Sequence, residues 1–435
     1  LRGFDRLLRP IIWAEDGAWL SQLLAHGLSH VFNPDAGYFL VIQKGIIGLV
    51  MQLPMVSWPL ALSTFCFLIY TAVGSMFSKD TYSWILSSRI NRVLICCLFA
   101  FLPGLFEVLG NAANLGWILC FYVALTFLRN LEDRPSLLET LLTALCILSA
   151  GQTVILLPAL IYRIYLQASQ ALRTKKRGIK SVELREDVFF LLFQLLVTGM
   201  NFFFRSTNGQ LAHLAQPSLS SLIHAWWYGT LNGIVLEPFF GFHWTALLWR
   251  PIQWLYWPFS LGLLGYWLSL VWKADRTHRL KYLTVLSWTG AIVLTCLVRN
   301  WGFDYYGTQR LEEGFRNSRL PMVLAPMGIF FWVLLINGLG QKSKKISRFG
   351  TPTFVVWYVI MSSSYGFKIP SLQNHFQWDP NWKKLKSSIE TGCPQKVSIP
   401  IEPSGWTMTY ESPIQRQCPE NESATHARPL RRVGS

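Results

Sequence analysis

Ten apolar runs dominate this chain, at 57–77, 93–109, 113–128, 137–150, 152–166, 188–204, 252–272, 281–298, 321–339 and 350–368. A helix needs about 20 mostly apolar residues to span a bilayer, and shorter ones serve inside bundles. Charged residues make up 14% of the 435 residues, against roughly 25% in an ordinary soluble domain. Three soluble domains could not be covered with so little charge. Disorder, collagen, coiled coil and a disulfide miniprotein are excluded by the same composition. The expected fold is therefore all-α and integral to a membrane, with about ten transmembrane helices. The short pair 137–150 and 152–166 could instead be one broken span, which would reverse everything downstream.

The formal charge of +16 tests this assignment. With ten spans, loops 78–92, 163–187, 273–281 and 340–349 fall on one side and hold most of the excess. Positive-inside bias makes that side cytoplasmic. The basic runs then read as topology signals and solvated loops, and nucleic acid is not expected as a partner. The outer side carries a first unit at 1–56, with an acidic motif and an interfacial helix at 37–53. It also carries 205–251, 299–320 and a small appendage at 369–435. Residues 57–368 form the transmembrane domain. Trp226, Trp227, Trp244 and Trp249 suggest amphipathic helices lying on the outer surface. An outer loop at 13–56 needs a helix to bring the chain across, so a first helix is expected upstream. Six cysteines lie inside apolar runs and read as small apolar residues. Cys393 and Cys418 stand apart in the tail and are expected to pair in an oxidising compartment.

The chemistry concentrates on the outer side. Trp13-Ala14-Glu15-Asp16-Gly17 places adjacent carboxylates before an amphipathic stretch. A carboxylate near the bilayer is costly unless solvated, paired or bound to a metal. Glu15 and Asp16 could divide the work of base and hydrogen-bond acceptor. Equally, Asp16 could cap a helix starting at Ala18. Asn33-Pro34-Asp35-Ala36-Gly37-Tyr38 reads as a turn. His30 and Asp35 have the spacing that lipid acyltransferases use, but Pro34 interrupts it. Glu107, Asn111 and Asn114 would meet sugar hydroxyls or merely cap a hairpin. Gln152 and Thr153 would cap an outer turn, with Pro158 kinking the next helix. Arg319, before the run 321–339, has a fork suited to a phosphate. Lys44 and Lys368 are weaker candidates for the same task, or snorkelling anchors.

The chain holds no nucleotide-binding loop, so a transferred group must come from a membrane-borne donor or a partner. The ordered outer motifs resemble those of bacterial GT-C-type glycosyltransferases over about 13–330. The motifs are Trp13 to Gly17, Pro34 to Tyr38, Gly110-Asn111-Ala112-Ala113-Asn114-Leu115-Gly116-Trp117, Gly151 to Pro158 and Arg319-Leu320-Pro321. The resemblance implies a GT-C-like fold in the bacterial cytoplasmic membrane, with its site facing outward. It implies a polyprenyl-phosphate sugar donor and a surface glycan or lipid acceptor. Asp16 would be the base and Glu15 its partner, or Asp16 would hold a divalent ion such as Mg or Mn. Tyr38, Lys44, Asn111, Asn114, Gln152 and Arg319 would bind substrate. Where such chains carry an Arg after the Gly-Tyr element, this one has Gln43-Lys44. The other readings are a flippase of lipid-linked glycans and a non-catalytic membrane partner. The flippase predicts internal repeats and charged spans.

Overall fold

The computed structural model describes residues 10–35, 37–102, 110–133, 135–173, 181–207, 218–236, 239, 258, 261–291, 293–294, 319–340, 344–363, 377–401 and 406–413. Among them are α1 (Ala14–His26), α2 (Val41–Val50), α3 (Trp58–Ser75), α4 (Arg89–Leu98), α5 (Leu115–Phe127), α6 (Leu137–Ser149) and α7 (Leu157–Arg173). Then come α8 (Ser181–Thr207), α9 (Leu219–Gly229), α10 (Arg276–Trp288), α11 (Arg319–Gly340), α12 (Lys344–Ser363) and α13 (Trp378–Thr391). A hairpin of β1 (Lys396–Ile401) and β2 (Trp406–Glu411) follows.

The chain is a helical membrane protein. Three stretches are long and apolar enough to cross a bilayer: Met55–Ser78, Gly151–Leu172 and Leu184–Thr207. Shorter apolar helices pack among them, including α2, α5 and α6. Helix α5 is buried on nearly every side, with Leu115, Cys120, Val123, Ala124 and Leu125 all at 0% exposure. A helix apolar all round belongs at the centre of a bundle, and α3, α6, α7 and α11 surround this one.

Local signals set the helix ends. Ser136 and Glu139 close a reciprocal capping box at the start of α6. Asp275 accepts the His278 N–H at the start of α10. Gly392 ends α13 in the left-handed region. Pro158 is the second residue of α7. It stands where the 3₁₀ turn Gly151–Leu156 passes into the α-helix, in the first turn of which proline is tolerated. The 137–150 and 152–166 runs are two helices joined by a 3₁₀ turn, Gly151–Leu156.

Not all the loop arginines are solvated. Arg163 is 5% exposed; its Nε donates to Asp187, and an Nη donates to the Phe127 and Arg129 carbonyls. It thus closes the C-terminal end of α5 against α8. Arg92, 1% exposed, donates to Asp80 and to the Leu86 and Ser87 carbonyls. A buried guanidinium is retained where its donors are used, and here they serve carbonyls with no helical partner.

The appendage contains a strand pair. Val397, Ile399 and Ile401 alternate inward on β1, facing Tyr410 and Met408 on β2, and all five are buried. The apolar face seats on α1. Helix α13 lies against the start of α3, where the Trp58 and Trp378 rings stand 5.8 Å apart and Trp378 Nε1 donates to Met55 O. Cys393 is in a disulfide, and the other described cysteines are free. Its expected partner Cys418 lies outside the described residues.

Candidate functional site

The acidic motif forms the first turn of α1, which begins at Ala14, four residues earlier than Ala18. Asp16 is 1% exposed. Its two oxygens accept the Ala112 N–H at 3.1 Å and the Ala113 N–H at 2.9 Å. Those amides precede α5, and Asn111 Oδ1 accepts the Asn114 N–H beside them at 2.9 Å. A helix start leaves N–H groups unmatched and carries a positive dipole end, so a carboxylate suits it. Asp16 thus holds the loop that leads into α5, across the fold, and makes no side-chain cap on its own helix. Glu15 is half-buried on the same turn.

On the other side of the α5 start, three glycines each admit a polar side chain. A β-carbon at Gly116 would stand 2.6 Å from Gln152 Nε2 and 3.6 Å from Gln43 Nε2. One at Gly151 would stand 3.1 Å from Asn201 Nδ2 and 3.8 Å from the Tyr38 β-carbon. Gly37, at φ 80°, lies directly against the Arg205 side chain. Any larger residue there would be strained in backbone and would displace the arginine. The Arg205 guanidinium stands 5.1 Å from the Tyr38 ring centroid. Loop 37–38, α2, the α5 start, the 151–156 turn and the α8 end thus meet in one polar cluster.

The Pro-Asp-x-Gly turn is present. Asp35 and Tyr38 exchange backbone hydrogen bonds at 2.9 and 3.0 Å. Trp19 Nε1 donates to Asp35 at 2.7 Å, while a His30 ring nitrogen meets Asn33 Nδ2. Each member of the acyltransferase-like spacing therefore has another partner. Burial, with the Lys44 and His26 charges adding to it, holds the His30 pKa below its ordinary 6.5, while Asp35 acts the other way.

Helix α2 turns its polar pair into the protein. Gln43 is fully buried and donates to Ser149 O, while Ser149 Oγ accepts the Ile42 N–H. Lys44 is equally buried and donates to Asn33 O at 2.9 Å, bracing the preceding loop. Burial holds its pKa below the ordinary lysine value, against the pull of Asp35.

Of the residues singled out in the sequence, the structure brings Asp16, Tyr38, Asn111, Asn114 and Gln152 around the first turn of α5. Lys44 lies beneath that assembly, tied to the Asn33 carbonyl. Arg319 is the first residue of α11, and its side chain lies outside the described residues, as do Glu107 and Lys368. Asn201 and Arg205 were not anticipated. The only signal for them was polar residues closing an otherwise apolar run.

Both Asp16 oxygens face N–H donors. Among the described residues no three of His, Cys, Asp and Glu gather to hold an ion.

A second feature adjoins the cluster. Trp226, Trp227, Trp267, Phe331, Ile234 and Leu263 line a small apolar cavity of about 60 Å³. Thr289, in its wall, accepts the Trp226 indole N–H at 2.8 Å. The next residue, Gly290, packs against Ile155 of the turn that carries Gln152. Helix α9 leads into a π-helical turn, Thr230–Leu236, that forms part of this wall. Such turns recur where a helix is reshaped around a ligand.

No protein-family model, curated protein or solved structure matches this chain.

Proposed function

We propose that this protein is a membrane glycosyltransferase with about ten spanning helices and a GT-C-like architecture. It moves a sugar from a polyprenyl-phosphate-type donor to a surface glycan or lipid acceptor. Its place is the bacterial cytoplasmic membrane, with the acidic turn facing outward, because the basic loops belong on the inner side. The observation that carries the reading is the junction at the start of α5. An acidic turn and an amide-rich cluster flank it, and an aromatic-walled apolar cavity adjoins the cluster. A polar head with a long hydrocarbon tail needs both environments side by side.

In this mechanism the acceptor oxygen attacks the anomeric carbon from the face opposite the phosphate. The bond from that carbon to the phosphate oxygen breaks, and its electron pair leaves with the lipid phosphate. Glu15 takes the acceptor proton. Asp16, holding the Ala112 and Ala113 amides, fixes the acidic turn against α5, so that its share is positioning. General-base catalysis of this kind is worth about 10²–10⁴-fold.

The test compares purified wild type with Glu15→Gln and Asp16→Asn for sugar transfer from a polyprenyl-phosphate donor pool. Glu15→Gln lowers transfer by about 10²-fold or more while the protein stays folded. Asp16→Asn lowers transfer together with thermal stability, because an amide N–H then faces backbone donors. Full donor turnover in both variants overturns the mechanism.

A further inference from the structure

Four polar side chains of the cluster make no hydrogen bond among the described residues. They are the Tyr38 hydroxyl, Gln152, Asn201 and Arg205. Two buried acceptor atoms beside them, Gln43 Oε1 and Asn201 Oδ1, are also without a partner there. Gln43 is 0% exposed, so water does not simply satisfy it from the surface. A buried unsatisfied polar atom costs about 1–3 kcal/mol. Two such atoms, beside four half-exposed polar side chains, mark a place shaped for something that completes them.

The donors identify the ligand's charge. Arg205 contributes a fork of up to five N–H groups, and its guanidinium lies over the Tyr38 ring. Gln152 and Asn201 each add an amide NH₂, and Tyr38 adds a hydroxyl. Among the described residues no carboxylate pairs with Arg205. Donors therefore outnumber acceptors around one positive charge, which calls for an oxyanion. They come from three separate elements, loop 37–38, the 151–156 turn and the end of α8. That spread matches the tetrahedral oxygens of a phosphate better than a flat carboxylate. The two unmatched acceptors, Gln43 Oε1 and Asn201 Oδ1, suit hydroxyl groups carried next to it.

We infer that Arg205, Gln152, Asn201 and Tyr38 form a binding site for a phosphate ester that bears hydroxyl groups. Gly37, Gly116 and Gly151 let these side chains lie directly against the backbone, since a β-carbon at any of them would meet Arg205, Gln152 or Asn201. Sugar phosphates borne on a lipid or free in solution share this chemistry. The site rests on the transferase reading only for which of these it handles.

The experiment measures binding to the full chain in nanodiscs, by calorimetry and ³¹P line broadening. The probes are inorganic phosphate, a soluble hexose 1-phosphate, and polyprenyl phosphate doped into the disc lipid. Wild type binds at least one phosphate probe, and the hexose 1-phosphate binds more tightly than inorganic phosphate. Arg205→Gln weakens binding by about tenfold or more, and Arg205→Lys by less, because it keeps the charge and loses the fork. Gln152→Ala, which leaves the helix ends intact, weakens the hexose 1-phosphate more than inorganic phosphate. Binding of the lipid probe alone identifies a membrane-borne ligand, and binding of the soluble probes alone a free one. The inference is overturned if wild type binds none of the three. It is equally overturned if folded Arg205→Gln and Gln152→Ala bind them as wild type does. Retained phosphate binding without any sugar transfer would sink the transferase reading and leave this site standing.

Discussion

Gly17 lies in the acidic turn with the C-terminal hairpin pressed against it. A β-carbon there would stand 2.5 Å from Ile401 Cδ1 and 3.3 Å from the Met408 β-carbon. The glycine of the acidic motif is thus explained by packing, some 390 residues downstream along the chain. Gly17→Val should force α1 and the hairpin apart, at about 1–3 kcal/mol, the usual cost of overfilling a packed contact. Thermal unfolding measures this, and Gly17→Ala should lose less than Gly17→Val. An unchanged midpoint in both would mean that the hairpin yields freely. Asp16, one residue earlier, is equally committed. Its neighbours in sequence suggest a cap on its own helix, yet its oxygens serve amides near residue 112. The carboxylate was legible and its recipients were not, because backbone amides carry no side-chain signature.

The elements show how far the appendage is part of the body. Strand residues Ile399, Ile401 and Met408 are essentially unexposed, and Leu385 of α13 is at 0%. Removing residues 377–413 would bare this apolar face and the Trp58 ring together. Deletion of the segment should therefore raise amide exchange across α1, residues 14–26, and lower the unfolding temperature of the whole protein. Hydrogen exchange with mass spectrometry reads both, and exchange at α1 identical to the intact chain would show that the hairpin is dispensable there. The tail's position after the last apolar run marked a small appendage but not its seat. Alternating Val397, Ile399 and Ile401 show that one face is buried, and many apolar surfaces could have covered it. Helix α2 taught a related lesson. Gln43 and Lys44 marked it as interfacial, whereas both turn inward to find the Ser149 and Asn33 carbonyls. Local amphipathicity reports which face is polar, not what waits opposite it.

For the molecule as a whole, the distribution of charge should set the orientation. The loops around Glu132 and the 163–187 segment are expected inside, and the appendage outside. A thiol reagent that cannot cross membranes should then label Lys384→Cys in intact cells. It should label Glu132→Cys only after permeabilisation, each in a background lacking the exposed Cys97. The reverse pattern would invert the topology and place the acidic turn on the inner face. Three of the apolar runs answer to helices long enough to cross a bilayer on their own. Helix α5 is short and covered by its neighbours, as a buried helix of a bundle is, whereas the equally short α6 leaves Leu137, Leu138 and Leu141 exposed.

By itself the sequence determined the class of molecule, because a lack of charge and a succession of apolar runs leave helices in a membrane as the economical way to satisfy the backbone. It also marked the acidic turn, the Pro-Asp-x-Gly turn and the amide-bearing loop, since these rest on neighbouring residues. Only the tertiary structure decided what those motifs touch. Arg205 meets Gly37 and Tyr38 across more than 160 residues of chain, and Asp16 reaches the start of α5 across nearly a hundred. Such contacts depend on how helices pack and where glycines let a side chain through, and periodicity in a single sequence encodes neither.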